Sequence, residues 1–191
     1  MDIQQLCSIK FIADLINKSI NLTMSGKKQG GLAGMIAGNS AISTVGLGSG
    51  LNYRGYNIVE LAQNSTFEEV AYLLLKGSLP SQPDLHIFRK KIAAHRTLPP
   101  ALIQVIEKIP KDAHPMEVMR TICSFLGVIE PESPSNPQDD IAVRLIALYG
   151  PAICYWWHFS QFNKKILLET SEHDTIAENF CKLILQQTVL Y

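Results

Sequence analysis

From residue 57 onward, apolar positions recur at helical spacing, interrupted by glycine, proline and short polar segments. One earlier stretch has a different rhythm. Between Ala41 and Tyr56, β-branched and aromatic residues flank Gly46-Leu47-Gly48-Ser49-Gly50, which predicts a short β-hairpin. A short helix is expected over residues 57–62. Thr66 and Glu69 form a capping box ahead of the apolar run Val70 to Leu75, and Gly77 with Pro80 ends that helix. A further helix is expected over 81–96, with Pro83 in its first turn and Leu85, Phe88 and Ile92 on its buried face. Pro99 and Pro100 open the next, ending near Ile109-Pro110.

His114-Pro115 opens a helix running to about residue 128, since proline suits the first helical position. The proline-rich segment 130–138 reads as a loop. Asn136-Pro137 is expected to cap a long helix to Phe162 that contains Pro151 and is kinked there. A last helix starts at Thr175, with Glu178 as its capping partner, and is expected to reach Gln186-Gln187. Its end shows neither a C-cap glycine nor a basic last turn. Residues 1–23 differ from the rest, although Leu6, Phe11, Ile12, Leu15 and Ile16 could share one face of a short helix. One hairpin, seven or so helices and no β-α-β alternation predict an all-α fold.

Composition narrows the partners. The chain has 191 residues, 47% of them hydrophobic and 18% charged, enough for one ordinary domain with a real core. Its 17 basic and 17 acidic side chains cancel, so no electrostatic reason exists to expect nucleic acid or an anionic membrane. Asp2, Lys10, Asp14 and Lys18 break up every early apolar stretch, so no signal peptide is expected. The run from Ile141 to Phe159 contains Arg144 and Gly150-Pro151 and is too interrupted to span a membrane. Cys7, Cys123, Cys154 and Cys181 are far apart and form no zinc-like spacing. Three of them fall in apolar helical patterns and are expected to be buried and reduced, in a cytoplasmic protein. No metal site is expected.

Candidate chemistry is sparse. The glycines at 46, 48 and 50 lack the Lys-Ser/Thr and the following helix of a phosphate loop, and glycine's freedom at positive φ explains them as a turn. His114 precedes a helix-opening proline and is expected to cap backbone N–H groups. His158, beside Trp156 and Trp157, is expected to be packed or half-exposed. His86, His95 and His173 fall on polar faces. The pairs Glu68-Glu69 and Asp139-Asp140 stand in first helical turns, where negative charge suits the helix dipole. Arg89, Lys90 and Lys91, with Arg96, read as a solvated basic face, and Arg54 as a tie between hairpin and helices.

Six segments carry a resemblance: GGLAG (Gly30 to Gly34), AISTVG (Ala41 to Gly46), YRGY (Tyr53 to Tyr56), FEEVAYLLL (Phe67 to Leu75), AHPMEVMRT (Ala113 to Thr121) and CYWWHFS (Cys154 to Ser160). In this order and spacing, over about residues 24–185, the chain resembles the citrate synthase family, and within it the 2-methylcitrate synthase branch. The resemblance implies an all-α, multi-helix large domain with a short N-terminal hairpin. It divides the chain into an N-terminal extension (1–23), a family-like part (24–185) and a divergent tail (186–191).

The resemblance implies an acyltransferase that condenses propionyl-CoA, or acetyl-CoA in the plain citrate synthases, with oxaloacetate. Acyl-CoA is a substrate there, and no further cofactor is implied. An Asp acts as base, one His donates to the forming enolate and another polarises the ketone. The motifs bearing those groups lie beyond Tyr191 in the family pattern, so the chain is expected to be truncated, to hold no catalytic residue and to be inactive alone. One position carries over: Lys91 matches a basic side chain associated with substrate binding. A homodimer is implied, and exposed apolar faces are expected on a half-length chain. A non-catalytic helical interaction module is the contrasting expectation.

Overall fold

The computed structural model describes residues 38, 40–46, 50–168, 171 and 173–186. The extension 1–23, the GGLAG segment and the end of the tail lie outside them. The described chain divides into two units, one ending at Ser65 and one beginning at Thr66.

The first unit holds an antiparallel sheet in the order β1 (Ser43–Gly46), β2 (Gly50–Tyr53), β3 (Tyr56–Asn57). Ser43 faces Tyr53 and Gly46 faces Gly50, which is the expected hairpin. The third strand was not expected. It follows from Arg54-Gly55, whose φ angles of 50° and 89° are both positive, the pattern of a type I′ turn that folds Tyr56 back on Tyr53. Arg54 fastens the segment ahead of β1: its N–H donates to the Ile42 carbonyl at 2.8 Å and its guanidinium to that of Ala41 at 3.2 Å. Asn57 then caps α1 (Ile58–Asn64), its side chain accepting from the Val59 N–H at 2.8 Å.

The second unit is helical. It comprises α2 (Phe67–Lys76), α3 (Gln82–Ala94), α4 (Pro100–Ile106), α5 (Pro115–Ile129), α6 (Gln138–Phe162) and α7 (Ile176–Ile184). The starts after Thr66, His114 and Thr175 are those the caps predicted. Thr66 and Thr175 each form a complete capping box, with Glu69 and Glu178 respectively, and Ser81 caps α3. His114 Nδ1 accepts from the Met116 N–H at 3.1 Å, so this imidazole is a helix cap. Gly77, at φ 92°, closes α2 in the left-handed conformation that a glycine adopts without strain.

Three ends differ from expectation. Helix α4 stops at Ile106 because the next turn tightens: the N–H groups of Lys108 and Ile109 donate to carbonyls three residues back. Asn136 does not cap α6, which begins after Pro137 with no side-chain cap. Its amide instead donates to the Glu130 and Pro131 carbonyls at 3.1 and 2.9 Å, closing the loop. Helix α7 ends at Ile184 and does have a basic last turn: Lys182 pairs with Asp174 at 2.6 Å.

Helix α6 is the spine, packing against α3, α4, α5 and α7. Its buried residues include Val143, Ala147, Leu148, Ala152 and Trp156; Val143 and Ala147 meet Phe88 and Ile92 of α3, and the wider core includes Leu102, Ile106, Ile122, Leu126 and Leu183. Pro151 is buried inside this helix. Cys154 is buried as expected. Cys123 and Cys181 are exposed, because the buried faces of α5 and α7 are set by Val118, Ile122 and Leu126 and by Leu183 and Ile184.

Side chains from distant segments hold α7 at both ends. At its start, Glu68 of α2 is 2% exposed and accepts from the Ile176 N–H at 2.8 Å. Arg96 is 4% exposed, so the solvated-face reading is wrong for it; it donates to the Ser171 and Asp174 carbonyls at 3.1 and 2.5 Å. Burial pulls the Arg96 pKa below the ordinary guanidinium value, and the carboxylates of Asp174 and Glu68 oppose the shift. At the other end, buried His158 meets the Leu183 carbonyl through Nε2 at 3.1 Å. Gln186 exchanges hydrogen bonds with the Leu167 backbone at 3.0 and 3.2 Å.

Burial lowers the His158 pKa against the contrary pull of the Leu183 and Ile184 backbone. Below the unfolded value of roughly 6.5 the unfolded chain binds a proton that folded His158 resists, so stability falls as pH drops. The thermal midpoint is expected to decline from about pH 7 to about pH 5. A His158→Gln variant should show a shallower decline, measured by circular dichroism against the parent chain.

Candidate functional site

Three consecutive basic residues on one helix do not make one patch. Successive side chains of a helix diverge by about 100°. Arg89 accordingly reaches the N-terminus of α2, where its Nη2 donates to Thr66 Oγ1 at 3.3 Å. Lys90 is exposed, and Lys91 pairs with Asp140 in the first turn of α6. Next to that pair, Lys76 from the last turn of α2 binds Asp139.

The two aspartates therefore do more than complement the helix dipole: they join α6 to α2 and α3. The Lys91 hydrogen bond is the chief reason the Asp140 carboxyl is held below its ordinary range. Both pairs are partly exposed, so each contributes little stability by itself. Their value is positional. They frame a cavity of about 220 Å³ with an apolar wall of Tyr72, Ile87, Phe88 and Val143 and a rim of Lys76, Lys91, Asp84 and Asp139. The Tyr72 and Phe88 rings meet edge-on, with centroids 5.4 Å apart. The rim is charge-balanced, so Lys91 stands in a neutral setting rather than in an anion trap.

A second cavity, of about 150 Å³, was missed by sequence reasoning. His86, Arg89, Lys90 and His173 line it. The spacing of His86 to Lys90 (i, i+4) signalled a shared helix face. His173, from the loop before α7, could only be placed with the fold in hand.

The remaining sequence candidates are structural. His114 is a helix cap and His158 a buried bond to α7. His86 and His173 are exposed, as expected; His95 is only half-exposed, and burial, reinforced by Lys91 and Arg144, lowers its pKa. Glu107 is held low by Lys165, 2.7 Å away, and by the Tyr155 hydroxyl, which donates to it at 2.7 Å. Among the described residues, no group of three or more His, Cys, Asp or Glu is placed to hold a metal, and no helix is long and apolar enough to cross a membrane.

Comparison with known proteins gives this helical unit its context. Residues 31–189 match the family model described as citrate synthase, C-terminal domain. The 2-methylcitrate synthase of Shewanella oneidensis is 50% identical over 155 residues, which are 81% of this chain and 41% of that protein. A citrate synthase-related protein of Dictyostelium discoideum is 42% identical over 132 residues, 69% of this chain and 32% of that protein. Among solved structures, the citrate synthase of Thermotoga maritima superposes with a TM-score of 0.69 at 29% identity, covering 83% of this chain and 41% of that one. The chain thus spans less than half the length of these relatives. It belongs to the citrate synthase family.

Proposed function

We propose that this chain is the N-terminal part of a 2-methylcitrate synthase, an acyltransferase that condenses propionyl-CoA with oxaloacetate and releases CoA. One observation carries the reading: 50% identity to the Shewanella oneidensis 2-methylcitrate synthase across 81% of the chain. The reaction needs a base to remove a weakly acidic α-proton from the thioester and donors to stabilise the enolate. In this reading the family's catalytic Asp and His lie outside this chain, and His114 and His158 are engaged in holding helices. The chain alone is therefore inert in this reading. It supplies framework to a cytoplasmic homodimeric enzyme.

The direct test is CoA release, followed with a thiol reagent. The purified chain with propionyl-CoA and oxaloacetate should give no release above background. A chimera carrying this chain's matching stretch in the Shewanella oneidensis enzyme should turn over propionyl-CoA faster than acetyl-CoA. Turnover by the chain alone contradicts the proposal. A chimera preferring acetyl-CoA moves the assignment to citrate synthase, and co-purification of the inert chain with an intact full-length synthase favours a helical interaction module.

Lys91 is the substrate-binding residue of this proposal. It borders the cavity of Tyr72 and Phe88, and its ammonium is poised by Asp140. In the same chimera, Lys91→Ala should raise KM about tenfold with kcat little changed, the signature of lost uniform binding. Lys91→Arg should recover part of that loss. An unchanged KM in Lys91→Ala contradicts the role.

A further inference from the structure

Two packed helices each set a pair of polar side chains one turn apart. Lys91 and His95 stand at i and i+4 at the end of α3, and Asp140 and Arg144 at i and i+4 near the start of α6. The Lys91–Asp140 hydrogen bond fixes how the two pairs meet. The permanent charges there are already paired. Lys91 has Asp140, Lys76 of α2 has Asp139, and Arg144 has the carboxylate of Glu130 at the end of α5.

His95 adds to this set a group whose charge changes near neutral pH. It is half-exposed, and it caps α3, where the helix-end carbonyls favour a cation. Burial, then Lys91 and Arg144, lower its pKa, while Asp140 opposes them. Asp140 thus attracts both Lys91 and His95, and Lys91 repels the imidazolium. Linkage makes this coupling reciprocal: if the His95 proton weakens the grip of Asp140 on Lys91, then Lys91 makes that proton harder to bind.

We propose that His95 is a pH-sensitive control on Lys91: imidazole protonation adds a positive charge beside the Lys91–Asp140 pair, competes for Asp140 and leaves the ammonium freer to hold an anionic ligand. The functional consequence rests on the reading of Lys91 as a substrate-binding residue, and both proposed substrates are anions. Their affinity should rise as the pH falls through the His95 pKa, which lies below the ordinary imidazole value of roughly 6.5.

The first test is an NMR pH titration of the full 191-residue chain, with the His95 signal assigned by its loss in His95→Asn. Lys91→Ala should raise the His95 pKa and Asp140→Asn should lower it, each by about 0.3, the scale of a partly exposed charge pair. Both substituted side chains are partly exposed, and an unmoved signal from buried His158 shows that the fold is kept. A His95 pKa that either variant leaves in place overturns the proposal. The second test uses the Shewanella oneidensis chimera and the substrate whose KM Lys91→Ala raises. That KM should fall about twofold from about pH 7.5 to about pH 5.5, relative to a His95→Asn chimera. A KM that varies alike in both chimeras overturns the control by His95 and leaves the Lys91 reading standing. A KM that Lys91→Ala does not change removes the Lys91 reading, and the control with it.

Discussion

The helical unit depends on one long-range constraint, the buried pair of Glu68 and Arg96 at the start of α7. A nine-residue helix is too short to persist alone in water. Its first N–H groups and the loop carbonyls before it would also be left without partners inside the protein. Glu68 takes one of those N–H groups, and Arg96 takes the Ser171 and Asp174 carbonyls. Both side chains are buried, so each is tolerable only because the backbone groups it meets satisfy it. Once α7 is fixed, Leu183 and Ile184 are buried and α6 gains its cover along Trp156 and His158.

The same logic separates the chain's charged residues into two kinds. Glu68 and Arg96 are buried and hold backbone, so they specify where segments go. Lys76, Lys91, Asp139 and Asp140 are partly exposed, and set the rim of a cavity rather than the stability of the bundle. Arg89 belongs to neither group, being tied to the α2 cap by one nitrogen with another left buried and unpaired.

Much of this was legible in the sequence where the physics is local. The capping boxes at Thr66 and Thr175, the His114 cap, the Gly77 stop and the buried face Leu85, Phe88, Ile92 are each decided within a few residues. The helical periodicity carried the all-α class, and the six segments carried the family. What the sequence hid is decided across the chain. Arg96 sits beside a run of exposed basic residues, and nothing local says that its carbonyl partners lie some 75 positions away. Glu68 looks like a dipole-complementing first-turn acid until its partner 108 positions on is known. His173 and α3 meet only through the fold. Cys123 and Cys181 read as buried because an apolar neighbourhood does not say which side of a helix a residue occupies.

The most direct test of this account is amide hydrogen exchange on Glu68→Ala beside the parent chain, together with urea unfolding. The account predicts a loss of about 1–3 kcal/mol from the orphaned buried groups. It also predicts that protection is lost first in α7 and in the loop before it, while α5 keeps its own. A stability change within about 0.5 kcal/mol, the range of an ordinary surface substitution, with α7 as protected as before, would contradict it.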